Sequence, residues 1–382
     1  MKRDNKTLSI RSRSGFSLVE LLVYMVILGL LMALVLTSFT QTLQQSAQQS
    51  DIAETQIETR VGLELLRFDL EHAGFGLPWD FKGGTPTYNE PDPLAGASGD
   101  VPRALSSQDN AAGLSLNNAD YLVIRAINVI PQDGSGQRWG WLGNDSNHLP
   151  YKQNLSEEPL ADDDWVIALS PGNTTANIAR RTLMMNGNTF AFQANLGALA
   201  AIAPPPTPSD PDGEKLLLYR IGGGGANINF PFNRTDFFIT NAAPNIHPAH
   251  CAPNTGVLVK QTLNQTTSNF DPPLPMVDCV ADFQVVYVMK GASPYADADE
   301  LNGMVAGKIC DEVREVRCFI LLHEGKEDPA YTHPIQNMNV GEVALNGALL
   351  AGRPFDLAAI GPNWAHYRWK VVSISASPKN FR

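Results

Sequence analysis

The stretch Gly15-Phe16-Ser17-Leu18-Val19-Glu20-Leu21-Leu22-Val23 opens an apolar run that continues to Leu36 and contains a single charged residue, Glu20. As an α-helix, residues 16–36 would extend about 30 Å, which is enough to cross the hydrocarbon core of a bilayer. A carboxylate at the centre of such a helix costs about 2.5–3.5 kcal/mol, so an acid near its end is a functional candidate. The stretch therefore predicts a membrane-spanning helix that carries one functional acid.

A short basic segment precedes this run. Residues 1–15 carry one acid, Asp4, against the basic residues Lys2, Arg3, Lys6, Arg11 and Arg13. Taking this net +4 from the whole-chain charge of −11 leaves −15 for the remainder. The positive-inside rule then predicts a cytoplasmic N-terminus, with the acidic remainder on the other side of the membrane. An acidic remainder argues against a broad nucleic-acid-binding surface.

The junction and the apolar run resemble the class III signal of type IV pilins and type II secretion pseudopilins. In that family, a prepilin peptidase cleaves after the glycine, here Gly15, and methylates the new N-terminal residue, here Phe16. The resemblance gives Glu20 the role of the family's glutamate, which neutralises the N-terminal amine of a neighbouring subunit. A buried amine and a buried carboxylate are each costly alone and tolerable together. The pair would favour subunits at one axial offset, which suits a filament.

Two other kinds of N-terminal segment share some of these features. A secretory signal peptide has an apolar core of roughly 7–15 residues followed by a small-residue cleavage site. The core here is longer, and no A-x-A-like site follows it. A plain single-pass anchor explains the length of the run but neither Glu20 nor the Gly15–Phe16 junction. We therefore prefer the pilin-type signal, with residues 1–15 as the leader.

The helix is predicted to continue to about Ala73, so that it covers residues 16–73. An apolar stripe with spacings of three and four residues indicates one face of an amphipathic helix. The apolar stripe consists of Ala53, Ile57, Val61, Leu65 and Phe68. Gly74, Gly76 and Pro78 then provide a stop. We expect the apolar stripe to pack the second half of this stem helix against the globular part of the chain.

The remaining residues, 74–382, predict a β-rich head. Short strands are expected at 121–127, 165–169, 215–221, 256–260, 281–289, 316–323 and 367–376, with a hairpin at 182–192 and a short helix at 304–314. Residues 77–119 and 132–150 read as long loops, and 203–213 as a Pro-rich connector that would separate two subdomains. Because no βαβ alternation appears, we expect a mainly antiparallel sheet. The expected fold class is therefore α+β. The resemblance to pilins implies the lollipop form of that family, a long stem helix whose distal half packs on a sheet.

Four cysteines lie in the last third of the chain: Cys251, Cys279, Cys310 and Cys318. An even number in a translocated domain indicates two disulfides, for which three connectivities exist. Proximity in sequence favours Cys251–Cys279 and Cys310–Cys318, and the first is the better supported. The second would close a very short loop.

More distal segments resemble the PilW family of minor pilins. They are residues 61–75, 275–287, 312–317 and 367–372. These segments distinguish pilin families better than the N-terminal signal, which all pilin-like proteins share. The resemblance does not support the Cys310–Cys318 bridge, because Cys318 lies at a strand position that is usually aliphatic. It implies a minor pilin that helps to start pilus assembly, together with other minor pilins and the major pilin, near the fibre tip.

No motif predicts catalysis or a resident cofactor. The sequence His247-Pro248-Ala249-His250-Cys251 groups three residues of metal-binding type, but an oxidised Cys251 makes a structural loop the preferred reading. Residues 210–214 and 297–300 place carboxylates at alternate positions. Neither has the glycine and terminal glutamate spacing of a twelve-residue calcium loop. We expect a non-enzymatic protein without metal, and calcium is the alternative cofactor.

The sequence therefore predicts a minor type IV pilin, anchored in the inner membrane with a periplasmic head and later incorporated into the pilus. Its partners would be prepilin peptidase, other pilins and, before assembly, membrane lipid. A type II secretion pseudopilin is the first alternative, since its stem would be the same. The second is an adhesive or ligand-binding module on a pilin stem, for which residues 77–250 would supply the binding surface.

Overall fold

The computed structural model describes residues 17–96, 99–129, 138–144, 149–171, 181–202, 215–222, 228–244, 247–291 and 294–381, without the side chains of residues 44, 45, 47, 48, 51, 54 and 58. The chain divides into two compact units, Met1–Ala53 and Glu54–Arg382. The predicted Pro-rich connector at 203–213 lies outside the described residues.

The first element is one long helix, α1 (Leu18–Glu71), of 54 residues. Its bounds lie within two residues of the predicted ones. The apolar run has no proline, and the Gln/Ser/Thr-rich segment that follows contains neither proline nor glycine, so nothing interrupts the backbone ladder. The helix ends where Gly74 takes a φ of +75°, a left-handed value that glycine adopts at little cost. The Gly74 N–H then donates to the Arg125 carbonyl oxygen at 3.0 Å, which ties this turn to a strand.

Strands account for most of the remaining regular structure. They are β1 (Asp80–Lys82), β2 (Leu105–Gln108), β3 (Tyr121–Ala126), β4 (Trp139–Asn144), β5 (Pro150–Asn154), β6 (Trp165–Ser170), β7 (Thr182–Met184), β8 (Phe192–Gln193), β9 (Leu216–Gly222), β10 (Asn233–Thr240), β11 (Gly256–Thr262), β12 (Leu274–Met289), β13 (Tyr295–Ala296), β14 (Val313–Glu324), β15 (Asn337–Val343), β16 (Leu349–Asp356) and β17 (Arg368–Ala376). The described residues also contain two short α-helices, α2 (Leu196–Leu199) and α3 (Ala306–Glu312), and four short 3₁₀ helices at Leu116–Asn118, Ala298–Leu301, Leu357–Ala359 and Trp364–His366.

The described strands form two sheets and one hairpin. The larger sheet has the order β17-β14-β12-β11-β10-β3-β2, with β13 beside β12, and all its pairings are antiparallel. The smaller sheet has the order β1-β7-β6-β9-β4-β5, with β8 beside β6, and its one parallel pairing joins β1 to β7. Strands β15 and β16 pair only with each other. The predicted α+β class with a mainly antiparallel sheet is confirmed.

The long strand β12 lies in the middle of the larger sheet, and its side chains alternate between two cores. Phe283, Val285 and Tyr287 belong to the main core, which the second half of α1 covers. Val286 belongs to a second core, which the β15–β16 hairpin covers through Val340 and other residues. A sheet that is buried on both faces explains why β12 is apolar almost throughout.

The packing of α1 corrects one sequence prediction. The helix buries Leu63, Leu66 and Leu70 in the main core, and Ala73, in the turn that follows the helix, is buried in the same core. The apolar stripe is instead exposed, and the residue Ile57 retains 66% of its accessible surface. The prediction that the apolar stripe packs against the head is therefore wrong. The helix has two adjacent apolar faces, and periodicity alone cannot tell which of them a sheet will cover.

A small residue decides how closely α1 approaches the larger sheet. A Cβ atom at Gly62 would lie 2.1 Å from the carbonyl oxygen of Met276 at the start of β12. On the same side of the helix, Thr55 and Thr59 are buried, and the Thr59 hydroxyl donates to the Thr55 carbonyl oxygen at 2.7 Å. The inner face of the helix is therefore built from small and hydroxyl-bearing residues as well as leucines.

A buried ion pair joins the same helix face to β11. Lys260 Nζ lies 2.6 Å from Asp69 Oδ2, and both side chains are almost fully buried. Burial raises the pKa of Asp69 to about 6, and the neighbouring Lys260 offsets this only in part. Removing one member of such a pair leaves an uncompensated buried charge. The pair therefore fixes how the helix docks on β11, but it is not a large source of stability.

Several predicted loops contain strands. Residues 77–119 include β1 and β2, and residues 132–150 include all of β4, which pairs with β5 and β9. The predicted hairpin at 182–192 is wrong in its pairing: β7 and β8 each pair with β6, although Asn186 and Thr189 do form a bridge between them. Strand β10 and the β15–β16 hairpin were not predicted.

The cysteines give one confirmation and one correction. Cys251 and Cys279 form a disulfide with a Cα–Cα distance of 5.0 Å. The predicted Cys310–Cys318 bridge is wrong, because both residues remain thiols. Cys310 on α3 packs with Leu77, whereas Cys318 on β14 lies in the main core. The helix-to-strand transition between them places the two sulfurs in different clusters, which sequence distance does not reveal.

Gly62→Ala should lower the free energy of unfolding of the full chain by about 2 kcal/mol, as overpacking against backbone does. The reason is the 2.1 Å separation between the added Cβ and the Met276 oxygen. In an unconstrained helix the same change would gain up to about 1 kcal/mol, so the sign is informative. Denaturant unfolding in detergent, followed by tryptophan fluorescence, measures it. Gly307→Ala in α3, where the new Cβ meets nothing within 4 Å, is the matched control. Equal stability changes in the two variants would contradict the close approach.

Asp69→Asn should alter how stability depends on pH. Because the pKa of Asp69 rises from its usual 3.8 to about 6 on folding, the folded protein retains a proton there that the unfolded chain releases. The stabilising contribution of this group is complete below the unfolded pKa of 3.8, and it is lost as the pH rises through the folded pKa of about 6. The unfolding free energy of the wild type minus that of the variant should therefore decrease as the pH rises from 3.8 to about 6, and it should stay constant at higher pH. A difference that rises with pH would mean that attraction by Lys260 outweighs burial.

Candidate functional site

The apolar half of α1 is the first candidate site. Within the described residues, Leu18–Leu43 is the one helical segment long and apolar enough to span a membrane by length and composition, and none of its most apolar window is buried. Length and composition alone are weak evidence, because a signal sequence near an N-terminus has the same properties. What distinguishes this segment is the charged side chain that it carries.

Glu20 lies in the first turn of α1 and is exposed among apolar neighbours such as Leu18, Leu21 and Tyr24. Between residues 17 and 50 the sequence holds no other charge. The first turn of a helix favours an anion, because its unpaired N–H groups carry partial positive charge. Glu20 is thus placed to pair with a cation that approaches this helix end. The predicted junction, Gly15 and Phe16, lies outside the described residues.

The exposed apolar stripe borders a groove, which is the second candidate site. We call it the helix groove; it has a volume of about 370 Å³. Its walls are Ile57, Val61, Gly62 and Leu65 of α1 and Pro275, Met276 and Asp278 of β12. All seven residues belong to the unit Glu54–Arg382. Sequence reasoning found the apolar residues here but assigned them to the core, because no sequence signal shows that an adjacent face carries the packing.

A cluster of buried charges was also missed. Glu90 Oε1 lies 2.8 Å from both an Arg125 nitrogen and an Arg234 nitrogen. Arg234 also pairs with Asp236 at 2.7 Å, and the Tyr121 hydroxyl donates to Asp236 at the same distance. Burial raises the pKa of Glu90, but the two arginines outweigh burial and hold that pKa below its usual range. The charges are mutually satisfied, so the cluster fixes the segment around Glu90 onto β3 and β10 rather than offering a reactive group.

The predicted histidine and cysteine group takes a different form in the structure. His250, Cys251 and Cys279 each offer one donor atom, and these atoms lie within 4.8 Å of one another. The two sulfurs are bonded to each other, however, and the metal-binding form of cysteine is the thiolate. Nearby, His323 Nε2 accepts a hydrogen bond from the Ala252 N–H at 2.8 Å, and burial lowers the pKa of His323 to about 3. The oxidised group therefore does not fit a zinc site.

The structure describes one of the two segments that were considered as alternative calcium sites. At 297–300, Asp297 Oδ1 accepts the Gly352 N–H at 2.5 Å, and Asp299 Oδ1 accepts the Asp109 N–H at 3.0 Å. These carboxylates hold backbone groups of neighbouring segments, which is a structural role. Residues 210–214 lie outside the described residues.

The comparisons with known proteins concern the first of these sites. Residues 10–36 match the family model of the prokaryotic N-terminal methylation motif. No curated protein and no solved structure matches the chain. The motif covers the junction at Gly15, Phe16 and Glu20, and with it most of the apolar half of α1. The match supports a type IV pilin-like or pseudopilin-like protein: a structural precursor that is anchored in the inner membrane, processed by prepilin peptidase and assembled with other pilins.

Proposed function

We propose that this protein is a minor type IV pilin of the PilW kind, which helps to start pilus assembly with other minor pilins near the fibre tip. The observation that carries the proposal is the combination at the N-terminus: a methylation motif, a long exposed apolar helix and Glu20 as its only charge. In this proposal, the head lies in the periplasm until the helix leaves the membrane.

The proposed assembly step follows from charge and solvation. Cleavage between Gly15 and Phe16 would expose a methylated amine at the end of an apolar helix. In a nonpolar environment an unpaired ammonium or carboxylate is expensive, and the attraction between the two is strong because the dielectric constant is low. The amine of an incoming subunit would therefore pair with Glu20 of a neighbour, and that pairing sets the axial offset. Apolar contact between helices would supply most of the affinity.

The position of the PilW-like segments supports the finer assignment. Residues 275–287 lie in β12, residues 312–317 run from the end of α3 into β14, and residues 367–372 begin β17. These three strands are neighbours in the larger sheet, and the fourth segment, residues 61–75, includes the part of α1 that covers them. The four segments thus make up one contiguous substructure, whereas the smaller sheet lies outside the resemblance. A large head of this kind favours a pilus subunit over a secretion pseudopilin.

Deletion of the gene should abolish surface fibres and leave protein secretion normal. The wild-type chain should restore the fibres. A Glu20→Val variant should still be cleaved at Gly15 but should fail to restore them, because the incoming amine would lack its partner. Electron microscopy and shear-fraction immunoblots measure fibres, and secreted-enzyme activity measures secretion.

The same experiment separates the alternatives. Normal fibres with a secretion defect would select the pseudopilin. Normal fibres with lost attachment to surfaces would select the adhesive module. Full restoration by Glu20→Val would contradict the proposed role of the carboxylate.

A further inference from the structure

The helix groove has an apolar wall that the described part of the chain leaves uncovered. Ile57, Val61, Leu65 and Phe68 retain between 43% and 66% exposure, and Leu274 at the start of β12 retains 50%. Single exposed apolar residues are ordinary, but a contiguous row beside a groove marks a binding surface. This row lies outside the segment Leu18–Leu43, which is already long enough to span a membrane. Membrane spanning therefore does not explain why the row is apolar.

Backbone atoms form the floor of the helix groove. Gly62 brings α1 so close to β12 that the backbone of Met276 fills the space where a side chain would stand. Pro275 and Met276 form the opposite wall. A groove of about 370 Å³ between a helix and the start of a strand fits the side chains of one more helix lying along α1.

The remaining wall residue, Asp278, gives the helix groove a charge. Its carboxylate is half-buried, and burial raises its pKa, which His250 and His247 partly counteract. Within the described residues, no lysine or arginine forms an ion pair with Asp278. The groove thus combines an apolar wall with a partly desolvated acid, and a ligand that carries both an apolar face and a cation would complement it.

We propose that the helix groove binds an apolar helix that carries a lysine or arginine and belongs to a different pilin-like subunit. The proposal rests on the proposed function, since it names the kind of partner that the assembly would place beside this chain. The cation would pair with Asp278, while aliphatic side chains of the same helix cover Ile57, Val61 and Leu65.

A second copy of this chain fits the groove poorly. From residue 17 to residue 59 its own helix has no lysine or arginine, and its charged side chains there are all acidic: Glu20, Asp51, Glu54 and Glu58. The side chains in the apolar half of α1 from another copy would therefore bring no cation to Asp278, and a buried carboxylate without a partner is strongly unfavourable. The amine that cleavage exposes at Phe16 is already paired with Glu20 of a neighbour in the proposed assembly. The charge of Asp278 therefore favours a helix from a different subunit over a helix from a second copy of this chain.

Photo-crosslinking in cells that make the native fibres tests this inference on the full chain. A benzoylphenylalanine at Val61 should crosslink to a different pilin-like subunit, through a peptide that contains lysine or arginine. Asp278→Lys should lower the yield roughly tenfold or more, equivalent to about 1.4 kcal/mol. Asp278→Glu should retain the crosslink. The same probe at Arg60, an exposed residue about 100° around the helix, is the matched control and should not give this product.

Crosslinking to a second copy of the chain, crosslinking to lipid alone, or an unchanged yield with Asp278→Lys would each overturn the proposal. The Cys251–Cys279 disulfide is checked by mass mapping in each variant, so that a lost crosslink reports on charge rather than on misfolding. The fibre fraction is probed in parallel for the wild-type chain. A chain that is present in fibres but gives no heterologous crosslink refutes the helix groove alone, whereas a chain that is absent from fibres refutes the proposed function.

Discussion

The apolar side chains of α1 between Leu18 and Leu43 require a nonpolar environment that the described part of the chain does not provide. At about 25 cal/mol per Å² of apolar surface, leaving these nineteen apolar residues in water would cost far more than a domain's net stability. A membrane provides that environment before assembly, and other apolar helices provide it afterwards. Glu20 adds a second requirement, because a carboxylate in that environment needs a cation. The proposed assembly step follows from these two requirements.

The second half of α1 has two roles. One face packs against the head, and the adjacent face leaves the apolar stripe exposed. Its inner face uses leucines, the close contact at Gly62 and the Asp69–Lys260 pair to dock on the larger sheet. Its outer face keeps the apolar stripe available beside Asp278. One helix therefore serves both as a core element and as an interface. The buried cluster around Glu90 and the Cys251–Cys279 disulfide stabilise the head without taking part in either role.

The features that sequence reasoning predicted are those that local physics determines. An apolar run, a segment without proline and the glycines after residue 73 define α1, and β-branched or aromatic runs define β3, β6, β12 and β17. The failures concern information that is not local. The apolar stripe is exposed because a neighbouring face made the better fit to the sheet. Cys310 and Cys318 are close in sequence but lie in different clusters. Strands β4 and β5 look like loop because tryptophan and glycine alternate in β4 and polar residues dominate β5. They become part of a sheet only because β4 pairs with β9 on one side and with β5 on the other.

The measurement that tests the central claim most directly is the intact mass and N-terminal sequence of the protein purified from its native membrane. A pilin-type precursor would yield a chain that begins at methylated Phe16, with a mass lower by residues 1–15 and higher by one methyl group. A chain that still begins at Met1 would contradict the account. The apolar helix would then be an ordinary anchor, and Glu20 would have no amine to meet.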